Sequence, residues 1–216
     1  MFEMRILDTI HEAVDAFSGL LPEGAIVGGS FSDWLPNPAS LQSSERRKVF
    51  LEAQRAATEL CLANLLHAIG LPAVPVVNRP GGDRAWPAGM VGSLTRKGAV
   101  VAGAIARTCS LAAVGIDLER VEGGLRDVQW QIASEGLPSC NDIDLALVLA
   151  FSAKEAVFKA QYPITEQMLD FRQIALSWTQ LHDGRWSALT ELGNRGFQVR
   201  LRQSVQWVAS VAISLA

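Results

Sequence analysis

Two short clusters of charged residues hold the chemistry that this sequence can perform. In VGIDLERV, residues 114–121, Asp117 and Glu119 stand two apart. On a strand that spacing sends both carboxylates out of one face. A pair of anions held side by side can take a hard divalent cation, directly or through water, because Mg2+ prefers oxygen ligands and keeps part of its hydration shell. Polar alternation on a solvent-facing strand is the ordinary source of such a pair. Here the preceding LAAVGI is apolar throughout, as in a buried strand whose end reaches a cleft. The second cluster, FSAKEAVFKA, puts Lys154, Glu155 and Lys159 on a helix, with Glu155 and Lys159 one turn apart on one face. A surface ion pair at that spacing contributes only about 0.3 kcal/mol. Ser152 with Glu155 also fits a capping box. The upstream LALVLAF continues a helix, however, which puts Ser152 inside it rather than at its start.

The elements that must position these groups follow from periodicity and punctuation. Residues 1–42 read as a short amphipathic helix and a Gly- and Pro-containing packed loop that holds Phe31 and Trp34. From Ser43 to about Ala68, strong helix formers place Phe50, Ala57, Leu60 and Cys61 at helical spacing and stop at Gly70 and Pro72. A strand, AVPVV, and an irregular loop, NRPGGDRAWPAG, follow. Residues 91–121 read as a strand-turn-strand unit: GSLT, a basic turn at Arg96 and Lys97, VVAGAIA, a turn at RTCS, and LAAVGIDLERV. Residues 122–143 lack a period and read as a weakly ordered connection. Helix resumes from Leu145 to Gln161. FRQIALSW, RWSALTEL, FQVRLR and WVASVAISLA then read as strands, with a turn at His182, Asp183 and Gly184. Helix then strands occurs once in each half, without sequence repetition. The expected fold is mixed α+β with two lobes, residues 1–108 and 109–216.

Bulk properties narrow the function. A chain of 216 residues that is 49% hydrophobic can bury a substantial core. A net charge of −3 gives no global basic field for nucleic acid, so an anionic ligand must meet a local basic pocket. Cys61, Cys109 and Cys140 form neither a CxxC pair nor an even disulfide set, which suits a reducing, cytoplasmic setting. The amino terminus lacks the basic flank and apolar core of a signal peptide. The apolar stretch from Gly98 to Ile116 is interrupted by Arg107 and reads as two buried strands, not a membrane span. His11, His67 and His182 are scattered and support no metal site. No GxSxG elbow, Rossmann fingerprint or P-loop is present.

Taken together, GIDLE and FSAKEAVFK resemble the paired signature of the Sfp-type 4'-phosphopantetheinyl transferases. Gly115, Ile116, Asp117 and Glu119 match the first motif; Phe151, Ser152, Lys154, Glu155 and Lys159 match the second. LAFSAKEAVFKA and WPAGMVGSLT are most similar to the enterobactin-synthase-associated branch, and the likeness covers roughly residues 45–178. It implies two similar lobes related by a pseudo-twofold, and a Mg2+-dependent transfer of phosphopantetheine from coenzyme A to a serine of an acyl, peptidyl or aryl carrier protein. Mn2+ is a possible substitute. In that reading Asp117, Glu119 and Glu155 hold the metal. Lys154 and Lys159 lie along the pyrophosphate, with Lys159 placed to neutralise or protonate the leaving phosphate of 3',5'-ADP. Glu155 or a metal-bound water is the base.

The coenzyme A pocket departs from the family pattern. Arg96 stands where the family usually has histidine, and an arginine can still grip a phosphate with two parallel hydrogen bonds. Counting from Phe50, the family's helix arginine falls on Gln54, with Arg55 one step on and Arg47 two turns earlier. Arg55 beside Glu52 and Glu59 also fits a solvated helix face. Arg79 and Arg84 add positive charge near the expected 3'-phosphate, while Asn78 replaces a family lysine. Ser93 and Thr95 carry over more readily than either arginine. Trp86 reads as a packing anchor ahead of an adenine platform. The alternatives are a noncatalytic coenzyme A-binding relative, a metal-dependent phosphohydrolase, and a carrier-docking scaffold whose charged motifs are structural. The expected state is a monomer acting in siderophore, polyketide or nonribosomal peptide synthesis.

Overall fold

Apolar runs separated by turns fold residues 90–120 into three successive strands, as their sequence pattern predicts. The computed structural model describes residues 11–31, 43–122, 124–133 and 136–215. Among them β1 (Ile26–Phe31), β2 (Met90–Lys97) and β3 (Val100–Arg107) form one antiparallel sheet in the order β1-β3-β2. A second antiparallel sheet has the order β4-β8-β7-β6-β5, from β4 (Leu111–Arg120), β5 (Ser177–Gln180), β6 (Trp186–Leu192), β7 (Arg195–Gln203) and β8 (Trp207–Leu215). Helix α1 (Ser43–Ala68) packs on β1 and β3, and helix α3 (Ile143–Thr165) packs on β4 and β8, with the one-turn helix α2 (Gln129–Ile132) between them in sequence. The class is α+β, as expected.

Strand β3 is buried on both faces, and its period of two assigns each side chain to a different core. Val101 and Ile105 meet Leu62 and Leu65 of α1, whereas Val100, Ala102, Ala104 and Ala106 join Val114, Ile116 and Leu118 of β4 and Trp207, Ala209 and Val211 of β8. This second cluster unites the two sheets. The opposite face of β4 and β8 is covered by α3, where Ala113, Val208 and Ala212 pack with Val148, Leu149, Ala153, Ala156 and Ala160 of the helix. The small residues along that side of the helix let it lie close to the sheet.

At Gly115 the approach becomes backbone on backbone. A methyl group there would overlap the Ala156 carbonyl oxygen and stand 2.6 Å from the Ala160 nitrogen. The glycine of GID is therefore the point at which α3 rests on β4. The helix starts at Asp142, whose side chain accepts hydrogen bonds from the Asp144 and Leu145 N–H groups at 2.9 and 3.3 Å. It runs past Pro163, tolerated in the last turn, to a left-handed cap at Glu166. Its extent exceeds the expected Leu145–Gln161 at both ends for these reasons.

Several sequence expectations need correction. The stretch IVGGSF is a strand rather than loop; its two glycines hide the pattern, and Gly29 leaves room for the side chain of Val14 against β3. AVPVV is not a strand, because Pro75 has no N–H to donate, Val74 and Val77 face solvent, and its surroundings contain only an isolated bridge between Asn78 and Arg84. Arg96 and Lys97 lie in β2, and the chain reverses at Gly98. FRQ is a single 3-10 turn capped by Asp170. The described part of residues 122–143 is anchored, with Ile132 fully buried against Leu147 and Ala150, and Arg126 paired with Asp144. Trp34 lies outside the described residues. No helix among the described residues is long and apolar enough to cross a membrane.

Replacing Gly115 with alanine forces α3 off β4 and should cost about 3 kcal/mol or more in urea unfolding. Gly196→Ala, at a β7 position with nothing within 4 Å of the added methyl, should stay within about 0.5 kcal/mol. Equal stabilities for the two variants would contradict the contact.

Candidate active site

Because β4 alternates, Ala113, Gly115, Asp117 and Glu119 share the face that α3 covers, and Asp117 and Glu119 lie just beyond the close contact at Gly115. One turn beyond Ala156 the helix carries Lys159. Its ammonium donates to Asp117 Oδ1 at 2.6 Å and lies 3.9 Å from Glu155 Oε2. Thr95 Oγ1 donates to the same Asp117 oxygen at 3.1 Å. The other oxygen, Oδ2, is buried without a hydrogen-bond partner. Glu119, also buried, pairs with Lys97.

Gathering three carboxylates at one place has an electrostatic cost. Burial pushes the Glu155 carboxyl above its ordinary range, with Asp117 and Glu119 adding to the rise and Lys159 opposing it. Glu119 shifts upward for the same first reason, against the pull of Lys97. Lys97 beside Glu119 and Lys159 beside Glu155 offset part of that cost. The donor set is carboxylate oxygen, and Asp117 presents an unpartnered one, so the residues suit a hard divalent ion. Among the described residues no three acidic, histidine or cysteine side chains form a ready-made shell; the three carboxylates are arranged around lysines.

Beside this cluster opens a cleft of about 890 Å³ between α1, the 75–86 loop, β2 and the end of α3. Arg55, Arg84, Arg96 and Lys159 bring positive charge to its walls, with Trp86, Phe158 and Tyr162 as aromatic surfaces. Arg84 donates to the Val76 carbonyl at 2.7 Å, which fixes the loop, and its guanidinium is depressed first by burial and then by Arg96 against the opposing pull of Glu59. Trp86 covers Gly92, where any side chain would collide with the indole. A second, smaller cavity of about 300 Å³ is lined by Gln131, Glu155, Phe158, Met168, Leu169, Asp170 and Phe171. Glu155 borders this cavity while its neighbour Lys159 borders the larger one.

The expected site residues thus divide. Asp117, Glu119, Glu155 and Lys159 come together, and Arg55, Arg84, Ser93 and Arg96 line the cleft. Thr95 is buried against Asp117 and orients that carboxylate. Ser93 is bound as well, its hydroxyl accepting from the Ile116 N–H at 3.0 Å and tying β2 to β4. Arg47 is exposed on α1 and Arg79 is exposed and paired with Asp83; neither lines the cleft. Lys154 is fully buried and donates to the Phe171 carbonyl at 2.8 Å, so its position on the helix turns it away from the cleft. Gln54 lines the cleft and donates to the Gly98 carbonyl at 2.8 Å. Lys97 was legible only as a turn residue; its place on the same strand face as Ser93 and Thr95 is the signal that could have found it.

Comparison with known proteins gives a consistent likeness. Residues 113–216 match the family model described as the 4'-phosphopantetheinyl transferase superfamily. Over 176 residues the chain is 34% identical to 4'-phosphopantetheinyl transferase Svp of Streptomyces mobaraensis, covering 74% of this chain and 70% of that protein. It is 33% identical to 4'-phosphopantetheinyl transferase Npt of Nocardia iowensis, over 65% of this chain and 62% of that one. Enterobactin synthase component D of Salmonella typhi is 32% identical over 59% of this chain and 54% of its own length.

Lysines 154 and 159, five residues apart in one motif, thus meet different surroundings. Lys154→Ala removes a buried stem and strips the Phe171 carbonyl of its donor, and should lower unfolding free energy by about 3 kcal/mol. Arg79→Ala, which loses only an exposed pair, should change it by less than about 0.5 kcal/mol. Denaturant titration of both variants checks this, and an unperturbed Lys154→Ala would contradict it.

Proposed function

Because the chain belongs to the 4'-phosphopantetheinyl transferase superfamily, we propose that it moves the phosphopantetheine arm of coenzyme A onto a serine of an apo carrier protein, with Mg2+ held by Asp117, Glu119 and Glu155. The observation that carries this reading is the convergence of Asp117, Glu155 and Lys159 beside a cationic cleft. Asp117 Oδ2 and the neighbouring carboxylates supply the hard oxygen ligands that Mg2+ takes. When bound, the ion would offset charge on the diphosphate.

The chain's own residues account for the remaining work. Arg84, Arg96 and Arg55 would receive the phosphates of the nucleotide end, and Trp86 would wall the same cleft. Lys159 would lie along the diphosphate and stabilise negative charge as the leaving group departs. Thr95 holds Asp117 in register. The carrier's serine would come from the side of the smaller cavity, where Met168 offers exposed apolar surface and Glu155 forms part of the wall. Glu155, or a water beside it, would accept the serine proton as the serine oxygen bonds to the β-phosphorus. The bond from that phosphorus to the bridging oxygen breaks, and 3',5'-ADP leaves with the electron pair. The reaction requires positioning and charge stabilisation, with no covalent enzyme intermediate. A cytoplasmic monomer serving siderophore, polyketide or peptide assembly belongs to the same reading.

Incubation with coenzyme A, Mg2+ and a panel of apo acyl, peptidyl and aryl carriers should add one phosphopantetheine to at least one carrier, as read by its mass. Omitting Mg2+ should abolish the gain. Glu155→Gln and Lys159→Ala should each lower kcat/KM by about a hundredfold or more while the protein remains folded. Unmodified carriers throughout would favour a binding-only relative, and 3',5'-ADP released without carrier would favour a phosphohydrolase.

A further inference from the structure

Lys97 belongs to no expected contact set, yet its position is fixed by strand register. Ser93, Thr95 and Lys97 are alternate residues of β2 and meet β4 in ascending order: Ser93 at the Ile116 N–H, Thr95 at Asp117 and Lys97 at Glu119. Two of these three contacts end on carboxylates of the cluster. The Glu119 side chain is only 10% accessible, whereas that of Lys97 is 39% accessible, so the lysine closes the carboxylate off from the solvent side. Lys159 holds Asp117 in the same way from α3. Three carboxylates facing two ammonium groups retain one negative charge, half of what a divalent cation would neutralise. An ion drawn to Glu119 must therefore meet a positive charge already paired with that side chain.

We propose that Lys97 is a resident cation that competes with the divalent metal for Glu119, so that the metal affinity of this site is set by Lys97 as much as by its carboxylates. The inference rests on the metal site proposed above. It gives the end of β2 a role in regulating ion binding: the ion enters fully only when the Lys97 ammonium leaves Glu119.

Mn2+ binding to the metal-free full chain, followed by the electron paramagnetic resonance signal of free Mn2+, tests this without turnover. Lys97→Ala should bind Mn2+ at least about tenfold more tightly than the parent protein, since one unit charge beside the ion is removed. Lys97→Met, which keeps the apolar stem against the strand, should do the same, and Lys97→Arg should retain the parent affinity. Mn2+ should correspondingly raise the melting temperature of the Ala and Met variants more than that of the parent. Measurable but equal or weaker affinities in Ala and Met would overturn the role of Lys97 and leave the metal site standing. Absence of Mn2+ binding in the parent and all variants would overturn the metal site, and this inference with it.

Discussion

Where α3 crosses β4 the two backbones touch, and the arrangement of the charged groups depends on that contact. Gly115 presents no side chain, so the carbonyl of Ala156 and the nitrogen of Ala160 can lie directly over the strand. The residues that flank this point on the helix are Glu155 and Lys159, and the next residue on the same face of the strand is Asp117. A side chain at 115 would lift the helix and carry Glu155 and Lys159 away from Asp117 together. The alanines at 153, 156 and 160 extend the same close approach along the helix, which is why a segment carrying catalytic candidates is otherwise so apolar.

A site of this kind is held against its own electrostatics. Burial and mutual repulsion raise the proton affinity of Glu119 and Glu155, and uncompensated charges there would be costly. Compensation comes from two directions: Lys159 descends from the helix and Lys97 arrives from the neighbouring sheet. The seam between β2 and β4 therefore does two things. It replaces a backbone ladder with side-chain hydrogen bonds, accepted by Ser93 and donated by Thr95, and it delivers a cation to the carboxylates. The union of the two sheets is as much a property of the site as of the core.

Much of this was legible in the sequence, for reasons that can be named. The span of α1 is set by strong helix formers and by Gly70 and Pro72, and β2 to β4 by apolar runs and the turns between them. The spacing of Asp117 and Glu119 predicts their common face, and that of Glu155 and Lys159 their common turn. Strand β1 was hidden because Gly28 and Gly29 carry no side chain from which to read alternation. Tertiary direction was also hidden. Nothing local distinguishes Lys154, which turns inward to the Phe171 carbonyl, from Lys159, which turns to Asp117. Thr95 reads as a phosphate ligand until β4 is seen beside it, and Arg47 and Arg79 read as cleft residues until the walls of the cleft are known. In each case the missing information is which distant element lies across from the residue.

The most direct test of the central claim is the position of a metal ion in crystals grown with Mn2+ and coenzyme A, located by anomalous scattering. A single strong peak is expected, bounded by the carboxylates of Asp117 and Glu155, with the diphosphate between it and the Lys159 ammonium. A nucleotide seated in the cleft with no metal peak at those carboxylates, or with its diphosphate turned away from Lys159, would contradict it.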